Sequence, residues 1–166
     1  MTAHQNYPLL AAAGLCTLAL TQQACADSGT FESVYAFVSN YTTFEHFNVT
    51  ITGGSNRGTS TFINASGAPF VKGQSSTQEC VVLGKKGTAG LTLESDCTIT
   101  DPSGDKVYMQ ALRKSGEMSQ GSGLGTARLL GGTGKYTGIT GDCTYTVQYF
   151  SDNRAVSPIK CQWQKL

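Results

Sequence analysis

The chain has 166 residues with 12 basic and 11 acidic side chains, which give a formal net charge of +1. That length is typical of one domain. The charges are scattered without a basic patch, so the sequence excludes a nucleic-acid-binding surface, which needs concentrated positive charge.

Residues 1–26 are predicted to be a cleaved secretory signal peptide. An uncharged apolar run, Pro8 to Leu20, is followed by Ala24-Cys25-Ala26, which fits the A-x-A cleavage rule before Asp27. The run is shorter than the roughly 20 residues of a membrane span, so no transmembrane span is predicted. Two features depart from the pattern. The first seven residues carry no Lys or Arg, and lipidation of Cys25 is an alternative, although the residues before it fit a lipobox poorly. We therefore predict a secreted or periplasmic protein of the bacterial cell envelope.

The next segment, residues 27–43, has no single periodicity. Phe31, Val34, Tyr35 and Val38 fit the three-to-four spacing of a helix. Ala36, together with the two valines, fits the alternation of a strand. We interpret this segment as a short helix or an irregular lead-in.

From residue 44 onward the sequence alternates β-branched or aromatic residues with polar ones and is interrupted by Gly-rich turns. Eight strands are predicted: Phe44–Thr52, Gly58–Ala65, Ser75–Leu83, Leu91–Thr100, Lys106–Lys114, Thr126–Leu130, Tyr136–Phe150 and Pro158–Lys165. A Gly/Ser-rich loop is predicted between Lys114 and Gly125. Many short strands with short turns are typical of an antiparallel barrel or sandwich. We predict an all-β domain over residues 44–166 that forms an eight-stranded antiparallel barrel.

The alternation also predicts which residues fill the barrel. The predicted interior set is Leu91, Leu93, Ile99, Val107, Met109, Ala111, Tyr145, Val147, Ile159 and Trp163. The same alternation places Arg113 inward, near the end of its strand. A barrel of eight strands has room for its own side chains or for one small ligand.

Four cysteines follow the signal peptide: Cys80, Cys97, Cys143 and Cys161. Four cysteines allow three pairings. The midpoints of Cys80–Cys97 and of Cys143–Cys161 both fall within turn-like segments, so each pair is placed opposite across a hairpin. We predict these two disulfides. The alternative is a zinc site, but zinc sites favour close C-x-x-C pairs, which this chain lacks.

The stretch from Gly131 to Gly141, Gly-Gly-Thr-Gly-Lys-Tyr-Thr-Gly-Ile-Thr-Gly, resembles an element of secreted bacterial proteins related to the allene oxide cyclase barrel. Plant dirigent proteins have a similar Gly-Gly-Thr-Gly turn. The turn Asp101-Pro102-Ser103-Gly104-Asp105-Lys106 and the stretches Cys143-Thr144-Tyr145 and Cys161-Gln162-Trp163 also resemble the bacterial group. The resemblance covers roughly residues 58–165 and implies an eight-stranded antiparallel barrel. It implies no catalytic residue at any position of this sequence.

The sequence contains no recognisable catalytic, metal or cofactor motif. Gly134-Lys135 lacks the flanking residues of a phosphate-binding loop. His46 is the only histidine after the signal peptide and has no nucleophile motif to serve, so we interpret it as a surface residue. The best constellation is the inward set Arg113, Tyr145, Tyr149 and Trp163, which is suited to an acidic, lipid-like or aromatic ligand at a barrel mouth. The alternative is that these aromatic residues simply fill the core.

Three functions follow from these observations. The preferred hypothesis is a non-enzymatic exported barrel that binds a small apolar or amphipathic ligand or an envelope partner. The second is an isomerase or cyclase of the allene oxide cyclase kind that shapes a lipid-like substrate in the barrel cavity. The third is a structural envelope protein with a filled barrel.

Overall fold

The computed structural model describes residues 27–114, 116 and 121–166. The predicted signal peptide and Cys25 lie outside the described residues. The strands are β1 (Asp27–His46), β2 (Val49–Ala65), β3 (Ser75–Gly87), β4 (Gly90–Thr100), β5 (Lys106–Arg113), β6 (Ser122–Gly132), β7 (Ile139–Tyr149) and β8 (Arg154–Lys165). A short 3-10 helix, Gly134–Tyr136, lies between β6 and β7.

The eight strands form one closed antiparallel barrel, which confirms the predicted all-β fold. Each strand pairs with the next in sequence, and β8 pairs with β1 to close the sheet. Of the predicted interior residues, nine are buried, and Tyr145 is half-buried against the same core. The alternation of apolar and polar residues therefore identified the inner face correctly.

The prediction of a short helix or irregular lead-in at residues 27–43 was wrong, because this segment is most of β1. Its inward positions mix aromatic residues with serines, and Ser33 and Ser39 are only 2% and 9% exposed. The outward positions include Val34 and Val38. Buried serines and outward valines remove the simple alternation by which a half-buried strand is recognised.

Three predicted boundaries also differ from the structure. The predicted strand Phe44–Thr52 spans the turn at Phe47 and Asn48 that joins β1 to β2. The predicted loop before Gly125 contains the start of β6. Tyr136 belongs to the 3-10 helix, and β7 begins only at Ile139.

Both predicted disulfides are present. Cys80 pairs with Cys97 across β3 and β4, and Cys143 pairs with Cys161 across β7 and β8. In each case the two cysteines are directly opposite in the strand register. The hairpin midpoints in the sequence thus selected the correct pairing of the three that were possible.

One end of the barrel, which we call the clasp end, carries the β4–β5 and β6–β7 turns and is filled by aromatic side chains. Phe70, from the segment between β2 and β3, lies at the centre of this cluster. Its ring centroid is 4.3 Å from that of Phe31, 5.4 Å from that of Tyr136 and 5.6 Å from that of Trp163. Phe62 completes the group. This end of the barrel is therefore packed solid.

The rim of the clasp end is held by Asp101, Lys135 and Tyr136, which we call the rim clasp. Lys135 Nζ forms an ion pair with Asp101, and the Tyr136 hydroxyl donates to Asp101 Oδ2 at 3.3 Å. The backbone N–H groups of Ser103 and Asp105 donate to Asp101 Oδ1 at 2.8 and 3.1 Å. The β4–β5 and β6–β7 turns are thus joined by an ion pair and a hydrogen bond.

Candidate functional site

Three of the four predicted site residues meet at the opposite end of the barrel, which we call the cavity end. Arg113 is the last residue of β5, and Tyr145 and Tyr149 lie on β7. All three line one interior cavity. Trp163 does not, because it packs against Phe70 at the clasp end. The predicted constellation is therefore a site of three residues, and Trp163 is part of the core.

Arg113 is held inside the barrel against Tyr149. Arg113 is only 1% exposed. Its Nη2 donates a hydrogen bond to the Tyr149 hydroxyl at 3.3 Å. The guanidinium carbon lies 5.6 Å from the centre of the Tyr149 ring. Because Tyr149 oxygen accepts this hydrogen bond, its own proton is available for another acceptor.

Two glycines on β6 make room for this arrangement. A Cβ at Gly123 would lie 2.2 Å from Arg113 Nη1, and a Cβ at Gly125 would lie 2.4 Å from the Tyr145 ring. Any larger residue at either position would displace these side chains. The Gly-rich sequence at the start of β6 therefore accommodates the site rather than forming a loop.

The tyrosines of the site are neutral at physiological pH. Burial raises the pKa of Tyr149 well above its ordinary value, and the Arg113 charge only partly opposes this. Burial also raises the pKa of Tyr145 and of Tyr35. Neutral phenols donate and accept hydrogen bonds but do not act as bases near pH 7.

The cavity has a volume of about 50 Å³ and a mixed lining, whose apolar and polar residues we call its two walls although they alternate along the same strands. One wall is apolar and consists of Val82, Leu93, Met109, Val147 and Ile159, together with the Cys80–Cys97 disulfide. The other wall is polar and consists of Tyr35, Tyr41, Asn56, Gln78, Ser95 and Ser157. Drug-sized ligands occupy pockets of about 300–1,000 Å³. Only a small molecule, or the end of a larger one, fits the cavity in this conformation.

The polar wall contains buried atoms whose hydrogen-bonding capacity is not used within the part of the chain that the structure describes. These atoms are the Tyr41 hydroxyl, Asn56 Oδ1 and Gln78 Oε1. The backbone oxygen of Gln78, by contrast, accepts a bond from the Tyr35 hydroxyl at 3.1 Å. Buried polar atoms nearly always have a hydrogen-bond partner, so three such atoms on residues that line one cavity call for a partner that the described residues do not supply.

The sequence did not predict Tyr41, Asn56 or Gln78 as site residues. Gln78 and Asn56 lie at inward positions of β3 and β2. The alternation rule assigns a polar residue in a strand to the outer face, so it does not identify them. The available signal was that Gln78 shares the parity of Cys80 and Val82 in the predicted strand Ser75–Leu83. A polar residue in register with a core set indicates a buried polar group.

The other candidates for chemistry lie away from the cavity. His46 is exposed at the end of β1, with its ring 4.8 Å from that of Phe47. Among the described residues, no three His, Cys, Asp or Glu side chains are grouped as metal ligands. Asp101 and Asp105 of the β4–β5 turn are engaged by Lys135 and by backbone N–H groups.

Comparison with known proteins gives no relative for this chain. No family model, curated protein or solved structure matches it. Within the described part of the chain, no helix has the length and apolar character needed to cross a membrane.

Proposed function

We propose that this protein is an exported, disulfide-stabilised barrel that binds one small amphipathic ligand at its cavity end. The observation that carries the proposal is the set of unsatisfied polar atoms on Tyr41, Asn56 and Gln78, three residues that line one cavity together with aliphatic side chains. Export is supported by the predicted signal peptide and by the two disulfides, which persist in oxidising compartments.

The chemistry of the walls defines the ligand's polar group. Tyr41 and Tyr149 offer hydroxyl donors, whereas Asn56 and Gln78 present amide oxygens as acceptors. A hydroxyl or an amide group both donates and accepts, so either satisfies the polar wall. The apolar remainder of the ligand would lie against Leu93, Met109 and the other aliphatic residues.

A relationship to the allene oxide cyclase barrels remains a proposal, supported by the eight-stranded closed barrel and the two interlocked turns. An isomerase or cyclase is the second candidate function. It is favoured by the ordered Arg113–Tyr149 pair facing apolar walls. A whole lipid-like substrate, however, is far larger than a cavity of about 50 Å³, so we prefer binding to catalysis.

The third candidate, a structural envelope protein with a filled barrel, is favoured by the aromatic cluster around Phe70. That cluster fills only the clasp end, because the cavity reaches from the central disulfide to Arg113. In a filled barrel, the unsatisfied polar atoms of Tyr41, Asn56 and Gln78 would lower the stability of the fold without serving a function.

Native mass spectrometry of the chain exported to an oxidising compartment tests the proposal. We expect an adduct that is lost under denaturing conditions. Titration with 1-butanol, a small amphipathic probe, should also shift the NMR signal of the Met109 methyl group, which lines the cavity. If the protein were an isomerase, incubation would convert the molecule that it binds into a product of the same mass but different chromatographic retention.

A matched pair of variants links the signal to the cavity. Ala111→Leu adds bulk inside the cavity, whereas Gln110→Leu adds a leucine at the neighbouring, outward position. The first should abolish the adduct and the butanol shift, and the second should keep both. If the wild-type protein shows neither signal, the ligand-binding function is wrong and the filled barrel is favoured.

A further inference from the structure

Strand β1 extends beyond its neighbour β8 at the cavity end. The β1–β8 pairing ends at Val38 opposite Arg154, whereas the β1–β2 pairing continues to His46 opposite Val49. Residues 40–46 of β1 therefore have a strand on one side only, within the described part of the chain. Among the described residues, β4 has a shorter one-sided stretch, since residues 90–92 pair with β3 but not with β5.

The unpaired side of residues 40–46 presents backbone hydrogen-bonding groups. Ser39 N–H points toward β8 and donates to Asn153 O at 2.8 Å. Backbone groups alternate in direction along a strand, so those of Tyr41, Thr43 and Glu45 point the same way, past the end of β8. They form a short template for another strand.

The edge lacks the protection that exposed edges usually carry. Residues 40–46 contain no Pro, Lys or Arg. The carboxylate of Glu45 is engaged within the hairpin, where it accepts a bond from the Thr50 hydroxyl at 2.7 Å. Phe44 is 55% exposed at the same edge. An apolar ring beside free backbone groups favours strand addition over solvation.

We propose that this edge pairs with the same edge of a second copy of the chain. Antiparallel pairing around a two-fold axis at Phe44 places Phe44 directly opposite Phe44 of the second copy, on one face of a continuous sheet. Thr43 of each copy then lies opposite Glu45 of the other. Since the odd-numbered residues carry the free backbone groups, Thr43 and Glu45 form the hydrogen-bonded pairs and the two Phe44 rings form the closer, non-hydrogen-bonded pair.

Charge selects this register over its neighbours. An axis at Glu45 would place two carboxylates opposite each other, which is destabilising. An axis at Thr43 would separate the two Phe44 rings and set each against Thr42. Only the axis at Phe44 combines a direct aromatic contact with Glu45 opposite a neutral residue.

The pairing is expected to be weak. It engages five residues on each copy, residues 42–46, because Tyr41 and Asn40 would lie opposite the turn residues Phe47 and Asn48; a standard stable interface has about 20–30 residues a side. The dimer should therefore exchange with monomer as concentration changes. Because the edge adjoins Tyr41 of the cavity wall, the second copy would lie beside the cavity end without supplying a residue to it.

Sedimentation velocity of the disulfide-bonded mature chain over a wide concentration range tests this inference. We expect a monomer–dimer equilibrium for the wild-type protein. Phe44→Lys should raise its dissociation constant by about tenfold or more, because two lysines would then face each other. Val81→Lys is the matched control, since Val81 is 70% exposed on β3 and lies outside the edge. A wild-type protein that stays monomeric, or equal effects of the two substitutions, would overturn the proposal.

Disulfide trapping tests the register separately. A cysteine introduced by Phe44→Cys would face its own copy across the two-fold axis and should give a covalent dimer on mild oxidation. The control, His46→Cys, places the new thiol opposite Thr42 and should not link. Intact mass spectrometry reads both results. Equal linking of the two variants would exclude pairing centred on Phe44.

Discussion

Replacement of Asp101 by Asn tests whether the rim clasp stabilises the barrel. Burial alone would raise the pKa of Asp101, but the hydrogen bonds from Lys135 and Ser103 outweigh it and lower the pKa from 3.8 to about 2. At about 1.4 kcal/mol per pH unit, that difference corresponds to about 2 kcal/mol of stability. The Lys135 side chain is 36% exposed, so solvent screens part of the interaction. We therefore expect Asp101→Asn to cost about 1–2 kcal/mol at pH 7.

The sign of the pH dependence follows from the direction of the shift. Because the folded-state pKa of Asp101 lies below the unfolded value of 3.8, the carboxylate stabilises the fold above that pH. The stabilisation is lost as the pH falls through about 2. In the Asn variant this contribution is absent at every pH. The difference in stability between the wild-type protein and the variant should thus shrink as the solution is acidified.

Urea unfolding at pH 7, 4 and 2, at constant ionic strength, measures this difference. Asp96→Asn serves as the control, because Asp96 is an exposed carboxylate on the outer face of β4. We expect the control to match the wild-type protein within about 0.5 kcal/mol. A difference for Asp101→Asn that stays constant from pH 7 to pH 2 would refute the assignment of this stability to the ionised carboxylate.

Three further predictions concern stability and the site. Replacing both cysteines of Cys143–Cys161 by Ser should cost about 3 kcal/mol in urea unfolding, and the same change at Cys80–Cys97 a similar amount, because the two loops have sequence separations of 18 and 17. A large disparity between the two would argue against the chain-entropy account. Phe70→Ala should lower the free energy of unfolding by about 3–5 kcal/mol and lower the thermal midpoint, since it removes the centre of the aromatic cluster. Val71→Ala, at the exposed neighbouring position, is the control and should change both much less. Gly125→Ala should displace the Tyr145 ring, which a Cβ at this position would approach to 2.4 Å, and should shift its NMR signals; an unchanged spectrum would show that the ring does not lie against Gly125.

Much of the barrel could be predicted from alternation and turns. Val107, Met109 and Ala111 alternate without interruption in β5, and all three are buried. In β1 the same rule failed, because Ser33 and Ser39 occupy inward positions. Backbone pairing, of Ser33 with β2 and β8 and of Ser39 with β2, holds the strand in the sheet regardless of side-chain polarity. Such tertiary pairing leaves no mark in the local sequence.

The candidate site could be predicted only in part, for a related reason. Parity along a strand tells which face a residue occupies, so Arg113 and Tyr149 were correctly placed inside. Parity does not tell the height of a residue along the barrel axis, which depends on strand register. Trp163 lies opposite Gly29 and Gly141 in the register and so falls at the clasp end.

The two most distinctive sequence motifs concern the fold rather than the site. The rim clasp is formed by Lys135 and Tyr136 of the Gly-rich motif and by Asp101 of the β4–β5 turn. The cavity lies toward the opposite end of β5, where Met109, Ala111 and Arg113 line it, and none of its lining residues belongs to either motif. In this chain the motif residues build the clasp, and none of them reaches the cavity. The motifs therefore bear on the barrel, and the ligand has to be inferred from the residues of the cavity wall.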